Sequence, residues 1–146
     1  MTWLEKLTAR LAVHLGKKLD VLSDKRAFDA AQDARDAGDL KTALDGFEKL
    51  ALRGHGLAAA LAGGMHINGQ GTVINGAKSV KFLEMGRDAG NPEAIALLGM
   101  AYASGMPGIK VDYFKARPLL EIAVKNGDKD AQQWLDSVKA KQKNKH

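Results

Sequence analysis

The sequence predicts an all-α protein, a short right-handed α-solenoid of antiparallel helix pairs with a capping helix at each end. Three observations carry this prediction. The chain of 146 residues is rich in Ala and Leu and has 3 prolines, helix-capping residues alternate with glycines along it, and a unit of about 36 residues recurs. A chain of this length is expected to form one domain with a core of its own.

Helices are predicted where start and stop signals bracket apolar positions. An Asp or Asn side chain accepts a hydrogen bond from a free backbone N–H at a helix start, and glycine adopts the left-handed conformation that ends a helix. The expected N-caps are Asp39, Asn75, Asn91, Asp112 and Asp128, and the expected stops are Gly38, Gly54, Gly90, Gly105 and Gly127. The helices then cover about 3–20, 24–37, 40–53, 57–68, 76–89, 92–104, 113–126 and 128–141.

The first helix, within residues 1–22, is amphipathic. Its apolar stripe is formed by Trp3, Leu7, Leu11, Leu15 and Leu22. The main interpretation is an N-terminal cap, because the terminal unit of a solenoid must cover an apolar face. Two alternatives stay open, a membrane-surface helix, for which the lysines are few, and a helix for self-association or for a partner.

The middle of the chain is repetitive. Residues 57–90, LAAALAGGMHINGQGTVINGAKSVKFLEMGRDAG, align with residues 93–127, EAIALLGMAYASGMPGIKVDYFKARPLLEIAVKNG. Gly63 aligns with Gly99 at an offset of 36, and Glu84 aligns with Glu121 at an offset of 37. Residues 39–54 match the second helix of this pair. Two helices in a period of this length are typical of an α-solenoid.

The pattern A-x-x-x-L-G-x-x-Y-x-x-G, a short loop with Asp, then K-A-x-x-x-L-E-x-A-x-x-x-G resembles the Sel-one-like (Sel1-like) repeat, a relative of the tetratricopeptide repeat. Residues 91–127 match it best and 57–90 fairly, with His66 at the usual tyrosine and Gly86 at a usual alanine. Residues 24–54 are similar to a plain tetratricopeptide unit. Residues 128–138 are expected to form a C-terminal capping helix. Residues 139–146 form a basic tail that we expect to be flexible. Pro118 departs from the pattern inside a helix.

Catalytic and cofactor signals are weak. There are 0 cysteines, and the 4 histidines lie far apart without metal-ligand spacing. The recurring glycines are not a phosphate loop, because a Walker-type loop ends in Gly-Lys-Ser/Thr. Ser104 follows a helix and lacks the glycines of a nucleophile elbow. We therefore expect no enzyme activity, no metal and no cofactor.

Charge gives no strong partner signal. The net charge is +5, but four lysines lie in the tail, so the first 138 residues carry only +1. With 5% aromatic residues, the sequence does not favour a nucleic-acid partner. Neither a signal-peptide core nor a membrane span is evident, so we expect a soluble, cytoplasmic protein, with weak association to a membrane surface left open.

The expected function is therefore protein–protein interaction. The resemblance implies that the first helix of each pair lines a concave groove, which would accept a helix or extended peptide from a protein partner. Alternatives are a bacterial effector-neutralising (immunity) or secretion-accessory protein, and a regulatory subunit of an enzyme; monomer and dimer both stay open. The predicted partner-binding residues are Phe28, Gln32, Arg35, Ile67, Asn68, Met100 and Ser104.

Overall fold

A computed structural model describes residues 1–144, which form seven helices and no strand. Short loops connect the helices, so consecutive helices run antiparallel. The helices are α1 Trp3–Asp36, α2 Leu40–Leu52, α3 Gly56–Asn68, α4 Gly76–Asp88, α5 Pro92–Ser104, α6 Tyr113–Lys125 and α7 Ala131–Lys143.

Four of the predicted N-caps are confirmed. Asp39, Asn75, Asn91 and Asp112 each accept a hydrogen bond from the backbone N–H three residues later, at 2.9 to 3.3 Å. The fifth, Asp128, also accepts from the backbone N–H three residues later, that of Ala131, at 3.0 Å. Helix α7 begins at Ala131, three residues later than predicted.

Two N-caps were not predicted. Thr2 begins α1 with a capping box, in which its hydroxyl accepts from the N–H of Glu5 at 3.2 Å and its own N–H donates to the Glu5 carboxylate at 2.7 Å. His55 caps α3, where its Nδ1 accepts from the N–H of Ala58 at 3.1 Å.

The helices pack as pairs that stack on one another. Within the pairs, α1 contacts α2, α3 contacts α4 and α5 contacts α6; between pairs, α3 contacts α5 and α2 contacts α4. We call α1, α3 and α5 the A helices and α2, α4 and α6 the B helices. One core cluster lies among α1 to α4 and includes Phe47, and a second lies among α3 to α7 and includes Leu98.

The prediction of a capping helix at 3–20 followed by a separate helix at 24–37 is wrong. Residues 3–36 form one continuous helix, since residues 20–24, DVLSD, contain neither Gly nor Pro to end it. Residues 3–23, hereafter the free segment, are exposed except for half-buried Gly16. The first side chain that reaches the solenoid is Asp24, whose carboxylate lies 3.0 Å from the guanidinium of Arg53. The free segment therefore does not cap the first repeat.

The C-terminal boundary also differs from the prediction. Helix α7 continues to Lys143, beyond the predicted helix end at 141 and into the segment 139–146 that we expected to be a tail. Leu135 and Val138 are buried in the second core cluster, and the Arg117 guanidinium donates to the Gln142 side chain at 3.1 Å. Residues 139–143 are therefore helical, not the flexible tail we expected, while Lys145 and His146 lie outside the described residues.

Glycines allow two helices to approach within a pair. A Cβ at Gly63 of α3 would lie 2.6 Å from Cγ of Leu83 on α4, which is shorter than a van der Waals contact. A Cβ at the equivalent Gly99 would lie 3.1 Å from Cγ of Leu120. By contrast, a Cβ at Gly64 would have no heavy atom within 4 Å.

Adjacent glycines of α3 should therefore respond oppositely to a single methyl group. We expect Gly63→Ala to destabilise the fold by about 1–3 kcal/mol through overpacking. Gly64→Ala should stabilise it by up to about 1 kcal/mol, because alanine favours helix over glycine. Urea unfolding followed by circular dichroism measures both; equal effects of the two substitutions would contradict the close approach of α3 and α4.

Candidate partner-binding face

One face of the A helices points away from the B helices and carries equivalent residues in α3 and α5. In each helix, four positions at helical spacing are exposed or half-buried, whereas most positions between them are buried. The two sets are related by the repeat offset of 36. They are Leu57, Leu61, Gly64 and Asn68 on α3, and Glu93, Leu97, Met100 and Ser104 on α5; we call these eight residues, with Phe28, Gln32 and Arg35 of α1, the A-helix face.

Phe28 extends the apolar part of this face onto α1. Its ring stacks on His55 with centroids 5.0 Å apart and lies 5.5 Å from the Phe47 ring. Phe28, His55 and Leu57 line one cleft at the junction of α1 and α3. The Phe28 ring is half-buried, so it serves packing and leaves one edge accessible.

The polar members of the α1 part differ in exposure. Arg35 is exposed and Gln32 is half-buried, with its side-chain oxygen buried and without a hydrogen-bond partner. Arg35 is therefore the accessible polar side chain of the α1 part.

One predicted site residue does not lie on the face. The Ile67 side chain is only 8% exposed and packs in the core cluster that includes α5. Asn68, Met100 and Ser104 lie on the face, where Asn68 and Ser104 are exposed and Met100 is half-buried. The Ser104 hydroxyl donates to the Met100 carbonyl at 2.9 Å.

Five members of the face are not among the predicted partner-binding residues: Leu57, Leu61, Gly64, Glu93 and Leu97. Helical spacing could have found them, because positions 57, 61, 64 and 68 are separated by four, three and four residues, as are 93, 97, 100 and 104.

Equivalent polar contacts join each A helix to the preceding B helix. The Nε2 of His66 on α3 lies 2.6 Å from a carboxylate oxygen of Glu48 on α2. The Tyr102 hydroxyl on α5 donates to Glu84 on α4 at 3.5 Å. Burial, followed by the nearby Glu84 carboxylate, raises the pKa of Tyr102 above its ordinary value of 10.0, so the phenol stays protonated at neutral pH and remains a donor.

The side chains of the A-helix face are of the kinds that bind another protein. Across residues 1–144, no three His, Asp or Glu side chains are grouped as metal ligands. Nor does any helix in this range have the length and apolar character needed to cross a bilayer. The face combines leucine, methionine and phenylalanine side chains with amide, hydroxyl and charged groups, which suits contact with another polypeptide.

The comparison with solved structures supports the helical-repeat fold. No protein-family model and no curated protein matches the chain. Among solved structures, a Sel1 repeat protein from Oxalobacter formigenes superposes with a TM-score of 0.67 and 24% identity, covering 77% of this chain and 47% of the other. A protective antigen of uropathogenic Escherichia coli strains, which displays an SLR fold, superposes with a TM-score of 0.68 and 26% identity, covering 82% of this chain and 26% of the other.

Two consequences follow from these comparisons. The predicted all-α helical-repeat fold is confirmed. This chain spans less than half the length of either solved structure.

The two inter-repeat contacts should differ in strength. Glu48→Ala removes the hydrogen-bond partner of His66 Nε2, whose side chain is 1% exposed, so a buried polar atom loses its partner. We expect a loss of about 1–3 kcal/mol in the free energy of unfolding. Glu84→Ala removes a longer contact and should cost less than about 1 kcal/mol. Chemical unfolding of both variants measures the difference; a larger loss for Glu84→Ala would contradict this ranking.

Proposed function

Because the chain has the Sel1-like repeat fold that its sequence resembles, we propose that it is a non-catalytic protein-interaction module that binds a partner helix or extended peptide on its A-helix face. The observation that carries the proposal is the set of accessible apolar side chains at equivalent positions of successive A helices. We propose a cytoplasmic setting for this interaction.

An apolar strip on the face supports the proposal. It runs across three A helices and consists of Phe28, Leu57, Leu61, Leu97 and Met100. Neighbouring packed helices lie about 8–10 Å apart, so α3 and α5 give a strip roughly 10 Å wide, which Phe28 extends at the junction of α1 and α3. This width accommodates an amphipathic helix or an extended segment that inserts apolar anchors into such a groove.

Polar groups border the strip and would orient the bound segment. Asn68 and Ser104 lie at the C-terminal ends of α3 and α5, whereas Glu93 lies at the N-terminal start of α5. The unbranched Met100 side chain adapts to irregular partner surfaces. Gly64 leaves an opening at the middle of the face, since nothing lies within 4 Å of a Cβ built there.

Filling the Gly64 opening with a charge tests the proposal without removing any packing. Gly64→Glu should reduce partner binding at least about tenfold, because it places a carboxylate within the apolar strip. The measurement is affinity capture from a lysate of the source cells, with the captured proteins quantified by mass spectrometry.

Gly16→Glu is the matched control. Gly16 is also a helical glycine with no heavy atom within 4 Å of an added Cβ, but it lies in the free segment. Both variants should stay folded with a melting temperature no lower than that of wild type, because each replaces a helical glycine where an added side chain meets open space. Equal capture of the same proteins by Gly64→Glu and wild type would exclude this face as the binding site.

A separate substitution tests the corrected position of Ile67. Ile67→Glu places a charge in the core and should lower the free energy of unfolding by at least about 3 kcal/mol. Met100→Glu should cost less, because Met100 is half-buried. Thermal unfolding of the two variants makes the comparison, and a stable Ile67→Glu would contradict the burial of Ile67.

A further inference from the structure

The free segment presents a leucine stripe that contacts nothing else in the described chain. Its six leucines are 38% to 65% exposed, and Trp3 beside them is 75% exposed. A helix of about 20 residues with such a stripe depends on packing for its stability, since propensity alone makes isolated helices marginal. The six positions are Leu4, Leu7, Leu11, Leu15, Leu19 and Leu22.

The solenoid of the same chain does not cover this stripe. Ala31 is buried on the side of α1 that packs against α2. Leu22 precedes Ala31 by nine residues, which is two and a half helical turns at 3.6 residues per turn. The stripe therefore faces away from the side on which α1 joins the repeats.

The spacing of the leucines is the same in both directions. Successive positions are separated by three, four, four, four and three residues, symmetrically about Val13. In an antiparallel pair of such helices, Leu4 lies opposite Leu22 of a second copy, Leu7 opposite Leu19, and Leu11 opposite Leu15. A two-fold symmetric interface requires this self-complementarity.

We infer that the free segment pairs antiparallel with the free segment of a second copy of this chain, along the leucine stripe and about a two-fold axis near Val13. The resulting homodimer buries twelve leucines in one seam. Lys18, the charged residue within the stripe, lies opposite the Thr8 hydroxyl of the second copy. The inference is independent of the proposed function, which concerns the A-helix face.

The seam is small for a dimer interface and depends on its leucines. Specific interfaces bury about 800 Å² and 20 to 30 residues per partner. Of the residues in the free segment, the six leucines and the residues beside them would enter the seam, which is fewer than this standard size. Patches above a few hundred Å² of contiguous apolar surface mark interaction sites on monomers.

Charge disfavours an anionic bilayer as the occupant. Residues 3–23 carry four basic side chains and the acidic Glu5 and Asp20, a net charge of only +2. Lys18 lies inside the apolar stripe. If this stripe entered the membrane interface, the ammonium group of Lys18 would lie on the side that faces the lipid. Strong attraction to anionic lipid requires more basic residues on one polar face.

Sedimentation of the full chain at several concentrations tests the inference. Wild type should sediment as a dimer at micromolar concentrations. Leu11→Glu should raise the dimer dissociation constant at least about tenfold, because it places two carboxylates near the two-fold axis in the centre of the seam. Val13→Glu is the matched control, since Val13 is 60% exposed but lies nine residues, two and a half turns, from both Leu4 and Leu22. This variant should remain dimeric.

Cross-linking tests the orientation of the two helices. The chain has no cysteine of its own, so single cysteines report one position each. A short bismaleimide should join Leu4→Cys to Leu22→Cys when the two variants are mixed, and should not join Leu4→Cys to itself. Cross-linking of Leu4→Cys alone would show a parallel pair and overturn the antiparallel arrangement.

Two other outcomes would overturn the inference. One is a wild-type chain that sediments as a monomer over the whole range, from the highest attainable concentration to a 100-fold dilution of it. The other is a dimer that Leu11→Glu and Val13→Glu weaken equally.

Co-sedimentation of a monomeric wild type with phosphatidylserine-containing vesicles would assign the stripe to a membrane surface instead. Circular dichroism checks that the repeats of each variant stay folded: a variant that dissociates is expected to lose at most the helical signal of the free segment, which depends on the seam, and to keep the melting temperature of α2 to α7.

Discussion

The close approach of each A helix to its B helix is the constraint on which the rest of the fold depends. The side chain of Leu83 occupies the space that a Cβ at Gly63 would need. The side chain of Leu120 lies nearly as close to the position of a Cβ at Gly99. A residue without Cβ at this position brings the backbones near enough for the leucine to be fully buried. The same device joins consecutive pairs, where a Cβ at Gly86 would lie 2.5 Å from that of Ala94.

This packing determines which side chains stay accessible. Because the A helix uses one side for its B helix and another for the neighbouring A helix, only a narrow stripe remains for solvent. The repeat then places the same stripe in register on α3 and α5. Polar links such as His66 to Glu48 hold successive units together, so the face is formed by the stacking and not by a loop.

The sequence predicts the helices well because their signals are local. An N-cap such as Asp112 and a left-handed glycine such as Gly105 act within one helical turn, and their roles are confirmed. The continuity of α1 has a local signal too, because residues 20–24 contain neither Gly nor Pro to end a helix. That its first part does not cap the repeats could not be predicted, because an amphipathic pattern does not show which surface covers the apolar stripe. Ile67 was misplaced for a similar reason, since its burial depends on the distance between two A helices.

The two surfaces of the chain lie in separate places and can act together. The leucine stripe occupies the free segment, whereas most of the A-helix face lies on α3 and α5, beyond the end of that segment. An antiparallel pair centred near Val13 would place the two solenoids at opposite ends of a helical rod. Ala31 is 18 residues from Val13, about 27 Å at 1.5 Å per residue, so the first repeats of the two copies would lie roughly 50 Å apart. Two identical faces at a fixed separation favour a partner that presents its binding segment twice, because the second contact forms at high effective concentration.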